Sequence, residues 1–313
     1  MRIGITPTND LVFKMLFGSP RHSFLTLHFL NDLLPLVHRP QAATVTITNP
    51  YRLAEFLKEK EISVDVRAQD ETKRDFLLEM QIRPDGAPAS RMHDTWSRIY
   101  TEQIKRGETY LLHKPVISVW ILANNLYPEP QWLHCIQAVR DTSGQPVGQE
   151  FLIVIIELKK RAALPDFGDE AMFRTGIDRW LALLWYGQDI DLESPRFQGL
   201  DSDIQEAANM MALFYKSKRA RWAYDRRMDW ISRVKDWHIV DRAEGLAEGK
   251  AEGRAEGRAE GLIDGLAKGL ADGRIEGKTE GAVETARRLK GLGIDSAIIA
   301  EGTGLTAEEV EKA

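Results

Sequence analysis

Asp65, Glu79 and Gln81 are the residues of this 313-residue chain whose types and spacing could do chemistry. They lie in ISVDVRAQDETKRDFLLEMQ, residues 62–81. Ile62, Val64, Val66 and Ala68 alternate with Ser63, Asp65 and Arg67. Phe76, Leu78, Met80 and Ile82 alternate with Leu77, Glu79, Gln81 and Arg83. A period of two predicts two strands, and the six polar residues 69–74 predict the turn between them. A hairpin centred near residue 72 sets Asp65 opposite Glu79, where paired side chains stand about 4.5–5.5 Å apart at Cβ. Gln81 lies two residues beyond Glu79 and shares its face. Two carboxylates and an amide are thereby gathered on one polar face. Carboxylates that close repel unless positive charge sits between them. A hard divalent cation answers that, and Mg²⁺ is the usual one where phosphate is the substrate. A second reading fits the same alternation: a solvated hairpin face on which Arg67 or Arg83 pairs with the acids.

The elements that must hold these residues follow from the flanking pattern. Thr8 or Asn9 suits an N-cap for a first helix carrying Val12, Phe13, Leu16 and Phe17, stopped by Gly18 and Pro20. Asp10 faces away from that apolar stripe, where the first-turn helix dipole suits an acid. A second helix carries Phe24 to Leu34 and ends at Pro35. Residues 44–47 form a short strand and 51–60 a charged connection. After the hairpin, 83–90 is a Gly/Pro loop. Residues 91–106 form a helix with Trp96, Ile99, Tyr100 and Ile104 on its buried side. Residues 116–122 are apolar apart from Ser118, as in a strand buried on both faces.

Residues 132–139 and 150–158 read as a second hairpin. Its second strand ends in Glu157-Leu158-Lys159, an E-x-K spacing that rivals the first site on paper, but no aspartate stands on the paired strand. His93, His113 and His134 match no metal-ligand spacing. From residue 171 the chain reads as helical. Residues 173–187 are apolar on most faces, and 203–218 and 219–237 are amphipathic. Lys216, Lys218, Arg219, Arg221, Arg226, Arg227 and Arg233 are interleaved with Trp222, Tyr224 and Trp230. Basic groups between aromatics suit phosphate contact and base stacking. The alternative is a solvated helix whose aromatics pack inward. Glycine then recurs every fourth residue from Gly245 to Gly281, in units such as AEGK and AEGR, and the last 32 residues, 282–313, read as short helices with a Thr306–Glu309 capping box.

Composition bounds the rest. A hydrophobic content of 43% supports a full core, and a net charge of −5 confines any nucleic-acid contact to a local patch. The single cysteine, Cys135, excludes an internal disulfide and a cysteine metal site, which fits a reducing cytoplasm. The first ten residues have no apolar core of a signal peptide. No apolar run approaches the ~20 residues a membrane span needs.

Asp65 followed on the next strand by Glu79-Met80-Gln81 resembles the D…(D/E)xK signature of the PD-(D/E)XK nuclease superfamily. More narrowly, TNDLVFKMLFG (8–18), FLNDLL (29–34), the EMQ triplet, WSRIYTEQIKRGETY (96–110) and KPVISVWIL (114–122) resemble, in the family's order, the Rpn family of recombination-promoting nucleases, a transposase-like group. The C-terminal ending is similar too. The resemblance implies an α/β fold with a mixed sheet flanked by helices over residues 1–170. A helical region (171–242), a long glycine-repeat helical tail (243–281) and a small helical segment (282–313) would follow. It implies a metal-dependent DNA endonuclease in which Asp65 and Glu79 hold Mg²⁺ or another divalent cation. Gln81 stands where the superfamily usually has lysine and is typical of the Rpn-like branch. There it would orient the attacking water or contact the phosphate. An acid on the first helix sometimes joins the superfamily's metal site, which makes Asp10 a further candidate. The expected partners are DNA, with Arg219, Arg221, Arg226 and Arg227 as contacts, and further copies of the chain joined through the repeat. The alternative function is a catalytically weak DNA-binding or regulatory module that multimerises through its tail.

Overall fold

The computed structural model describes every residue except Met1, 51–64, 83–87, 138–141, 144 and 146–149, and the helix backbone but not the side chains of 234–248. The expected charged connection at 51–60, the start of the first hairpin strand at 62–64 and most of the second hairpin's turn lie outside the described residues.

Helix α1 (Asp10–Phe17) starts at Asn9, whose side-chain oxygen accepts the Leu11 N–H. That cap satisfies one of the orphan donors of the first turn. It also sets the register that buries Leu11, Val12, Phe13, Leu16 and Phe17. Helix α2 (Ser23–Leu33) packs beside it. Six strands follow the order β1-β2-β3-β4-β6-β5, with β1 (Val45–Ile47), β2 (Val66–Asp70), β3 (Asp75–Gln81), β4 (Val116–Leu122), β5 (Leu133–Gln137) and β6 (Phe151–Glu157). The β3–β4 and β4–β6 pairs are parallel and the other three antiparallel, so the sheet is mixed. This is the expected α/β architecture.

Between β3 and β4 runs helix α3 (Pro88–Glu102), and after β6 come α4 (Leu158–Ala162), α5 (Ile177–Tyr186) and α6 (Ser202–Lys216). One sheet face carries Phe76, Leu78, Val119 and Val154 into a core shared with α1, α2, α5 and α6. The other face meets α3, where Leu77 and Val116 pack on Ile99 and Trp120 packs on Met92. The chain divides into two compact units, Met1–Ser232 and Arg233–Ala313. The helical stretch after residue 171 thus shares the core of the sheet.

Two expectations need correction. The face holding Leu77, Glu79 and Gln81 is not a solvated hairpin face: β3 is buried along its whole length. The cause is its place inside the sheet, paired in parallel to β4 and covered by α3, which hydrophobic alternation alone does not reveal. Arg67 accordingly pairs not with the two acids but with Asp75 (3.0 Å) and Glu102 (3.1 Å), while Arg83 lies outside the described residues. The helix expected at 91–106 spans Pro88–Glu102 instead, since proline is accepted in a first helical turn. At its far end the Gln103 amide leaves the helix to bond Asp75 Oδ2 (2.9 Å) and accept the Lys114 N–H (2.8 Å).

The second hairpin is present as the antiparallel β5–β6 pair. Helix α7 (Lys218–Gly291) runs unbroken for 74 residues through both the basic stretch and the glycine repeat. It is followed by α8 (Ser296–Thr303) and α9 (Ala307–Lys312), whose Thr306–Glu309 capping box forms as expected. Ala286, Ile299 and Val310 make a small core of their own. Among the described residues no helix is long and apolar enough to cross a membrane.

Candidate active site

The hairpin register pairs Val66 with Leu78, which carries on to Asp65 opposite Glu79 as the alternation required. Asp65 sits one residue before β2, where the strand no longer constrains it. Its N–H donates to Glu79 Oε1 (3.2 Å), and its own Oδ2 accepts the Met80 N–H (2.9 Å). The two carboxylates are therefore interlocked through the backbone rather than merely adjacent. Glu79 and Gln81 are buried, at 4% and 8% exposure, and the Asp65 side chain is 11% exposed.

Burial in this cleft favours the neutral acids. Asp65 is pushed up to about 6 by burial, with Asp10 adding to the rise. The Lys14 ammonium and the Met80 N–H oppose it. Glu79 is pushed well above the usual carboxylate range by burial and then by Asp65, against the charges of Arg91 and Lys14. Lys14, one turn after Asp10 on α1, brings Nζ to 3.5 Å from Asp65 Oδ1. Arg91, in the first turns of α3, bonds the Gln81 amide oxygen through both terminal nitrogens (2.7 and 3.1 Å), with the amide turned so that its oxygen faces the guanidinium. The Arg91 guanidinium also lies 5.8 Å from the Trp120 ring centroid. Sequence reading missed both cations. Lys14 had a signal, its i,i+4 relation to Asp10. Arg91 had none, because it lies ten residues past Gln81 across a Gly/Pro loop.

Asp10 does face away from the Phe13–Phe17 stripe, and it forms a two-pronged ion pair with Arg227 of α7 (2.6 and 2.9 Å). Thr6 N–H on Tyr224 Oη (3.1 Å) and Asn9 on Met228 Sδ (3.4 Å) fasten the same stretch of α7 beside α1. Arg227 thus reaches the edge of the site. Arg219, Arg221 and Arg226 are exposed. Arg221 lies over the Tyr215 ring at 4.6 Å and Arg226 over Trp222 at 4.8 Å. Trp222 and Trp230 are about half exposed, so these aromatics point outward.

The rival E-x-K is a different kind of site. Glu157 is fully buried. Burial would raise it, but hydrogen bonds from Lys160, Leu126, Tyr127 and His134 hold it below the usual range. Lys160 Nζ (2.5 Å), His134 Nε2 (2.8 Å) and Tyr127 N–H (3.2 Å) use its oxygens, and Leu126 N–H adds a fourth bond. Lys159, the lysine of the E-x-K spacing, is exposed. Among the described residues no group of three or more His, Cys, Asp or Glu side chains is gathered for a metal ion.

A mixed sheet flanked by helices, with an aspartate and a glutamate locked across its β2–β3 hairpin, defines a PD-(D/E)XK fold. The family model of PD-(D/E)XK nuclease family transposases matches residues 7–237, and the chain belongs to that family. No curated protein and no solved structure matches it. The family supports a nuclease-like function, hydrolysis of phosphodiester bonds, and DNA as substrate.

Proposed function

We propose that the protein is a metal-dependent DNA endonuclease whose centre is Asp65, Glu79 and Gln81. The observation that carries this reading is the interlocked Asp65–Glu79 pair facing across the β2–β3 hairpin. The donor set fits a divalent cation. It offers oxygen atoms only, and Mg²⁺ commonly takes just one or two protein carboxylates and fills its other places with water and phosphate. Burial holds both acids above their usual range despite the nearby charges of Lys14 and Arg91, and a bound cation would favour their charged forms. When bound, the ion would supply a more acidic water and offset charge on the attacked phosphate. Asp65 and Glu79 would hold it, the Met80 N–H fixes the Asp65 carboxylate, and Gln81 would direct the water or the phosphate by hydrogen bond. The test is nicking of supercoiled plasmid with MgCl₂ and with EDTA. DNA binding without cleavage would favour the catalytically weak binding module instead, and nicking that persists in EDTA would remove the metal from the reading.

Arg91 gives Gln81 a role that lysine could not take unchanged. The positive charge that lysine carries elsewhere in the superfamily comes here from α3. Gln81→Lys restores the usual triad on paper, but it sets an ammonium against the guanidinium in a buried cleft, where like charges repel. Gln81→Lys alone is expected to lower nicking, Arg91→Ala alone to lower it too, and the double variant to recover activity above either. A double variant no better than Arg91→Ala would remove Arg91 as the charge donor.

DNA contact is assigned to Arg219, Arg221 and Arg226, with Arg227 partly committed to Asp10. The outward tryptophans beside them support this. Changing Arg219, Arg221 and Arg226 to glutamine together should weaken duplex binding and lower the log–log salt slope by about one unit per lost phosphate contact. An unchanged slope returns them to a solvated helix face. A second proposal, association through the repeat of α7, and a cytoplasmic setting, which suits the lone Cys135, complete the reading.

A further inference from the structure

The loop between α3 and β4 builds a pile of parallel rings that ends in solvent. Trp96 is the base of the pile, held by its Nε1–H on Val116 O (2.9 Å) and by an edge contact with Phe151. Tyr100 stacks on Trp96 with centroids 4.8 Å apart and planes 18° apart. His113 stacks on Tyr100 at 3.9 Å and 10°. Tyr110 lies parallel to His113 within 5°, at 6.1 Å. Four rings from two segments thus share one orientation.

The outer end of the pile is bare. Tyr110 is 83% exposed, Leu111 90% and Leu112 53%. A solvent-facing aromatic and two leucines at one loop tip carry a hydration cost that the fold does not remove. The loop is nonetheless firmly built. The Gln103 amide ties it to Asp75 and Lys114, and the Thr109 hydroxyl accepts the Leu111 N–H (3.3 Å). A preformed surface loses little entropy on binding. Three exposed cations, Lys105, Arg106 and Lys114, stand on the same loop. Its acids are engaged: Glu108 accepts the Lys105 N–H (2.7 Å) and Glu102 pairs with Arg67.

We propose that this loop is a stacking platform for an unpaired DNA strand. A flat ring continues a pile of parallel rings by stacking, and a nucleobase is a flat ring that arrives with a phosphate for the neighbouring cations. A paired base keeps its faces inside the duplex, so the platform selects unpaired strands. The proposal rests on the nuclease reading for its substrate. The rings pack on Leu77 and Val116, the same sheet face that carries Glu79. Asp75 pairs with Val116 and Glu79 with Trp120, so the platform stands four residues, about 13 Å along the strands, from the level of the two carboxylates.

The experiment measures binding of a fluorescein-labelled 20-nucleotide single strand and of its duplex to the full-length protein in EDTA, so that cleavage does not intervene. Tyr110→Ala should weaken single-strand binding at least about fivefold, the lower bound for one stacked base, and change duplex binding less than twofold. Tyr110→Phe should bind as wild type does. Tyr110 is so exposed that neither change should disturb the fold, which circular dichroism checks. Lys105→Gln with Arg106→Gln and Lys114→Gln should lower the single-strand salt slope by about two units. Unchanged single-strand affinity in Tyr110→Ala overturns the proposal. So does equal loss on duplex, or Tyr110→Phe as weak as Tyr110→Ala. If Tyr110→Ala lowers the mass seen by light scattering and leaves single-strand binding intact, the tip is a protein contact and the proposal is wrong. Failure of the nuclease reading is separate: wild type that never nicks but binds single strands through Tyr110 loses only the catalytic assignment.

Discussion

Asp65→Asn and Glu79→Gln each remove divalent-ion-dependent nicking, by at least the ~10²–10³-fold typical when one group that stabilises transition-state charge is lost. Each replacement keeps side-chain volume and removes one anionic oxygen donor. The fold should survive both, and in EDTA at alkaline pH Glu79→Gln should make the protein more stable. Asp65 has a folded-state pKa of about 6 against an ordinary 3.8, and Glu79 is shifted in the same direction. A raised pKa means that the native state holds the proton more tightly than the unfolded chain. That stabilisation is complete below about pH 4 and is lost as pH rises through 6. For Asp65 alone the loss is about 3 kcal/mol. The metal-free wild type should therefore melt at a lower temperature at pH 8 than at pH 5, and Glu79→Gln should narrow the gap. Adding MgCl₂ should raise the wild-type melting temperature more at pH 8 than at pH 5, because the ion replaces the proton. Thermal melts at the two pH values, beside plasmid nicking, read all of this. Nicking that persists in both variants would reject the assignment of the two carboxylates.

Much of this arrangement could be read along the chain. Strand alternation and a short polar turn fix a hairpin register within one residue, because a slip by one would turn Val66, Ala68, Phe76 and Leu78 away from the core. Asp65 opposite Glu79 follows from that alone. The burial of Glu79 does not follow. It depends on α3 lying over β3 and on β4 pairing beyond it, contacts that no local period records. Arg91 was hidden for the same reason: what makes it matter is a contact with Gln81 across a loop of glycine and prolines. Asp10 was legible as a first-turn acid, whereas its partner Arg227 lies 217 residues away. The outward placement of Trp222 and Trp230 was one of two patterns the sequence allowed, and only the docking of Tyr224 on Thr6 decided between them. The continuity of α7 was legible in part: Ala, Glu, Lys, Arg and Leu fill the repeat and no proline interrupts it.

Deleting residues 242–313 should lower the number of chains per particle, read from the mass by light scattering, because the repeat of α7 lacks what a lone helix needs. Ten glycines between Gly245 and Gly281 each weaken a helix by about 1 kcal/mol relative to alanine. Side-chain pairs within the helix do not compensate. The acids at 244, 248, 252, 256 and 260 are like-charged neighbours at i,i+4, and so are Lys250, Arg254 and Arg258. Nor does packing: the described side chains from 249 to 281 are exposed, Leu262, Leu266 and Leu270 among them at 66%, 58% and 71%. A second helix supplies all three missing terms. Four residues advance a helix by one turn plus about 40°, so glycines and acids form separate, slowly winding stripes, and a third stripe carries the bases at 250, 254 and 258 and then the leucines at 262, 266 and 270. The glycine stripe admits a close neighbour, an acidic stripe can face a basic one, and the three leucines meet their copies at the centre. Full-length protein should therefore be at least a dimer at micromolar concentration, which brings two active sites to one DNA. Leu262→Asp, Leu266→Asp and Leu270→Asp, combined in the full-length chain, should dissociate it as the deletion does. They leave Asp65 and Glu79 untouched, so nicking of one strand should persist while double-strand breaks decline. A deletion variant that keeps the full-length oligomeric state would place the association elsewhere, and a full-length protein that is monomeric at micromolar concentration would rule association out.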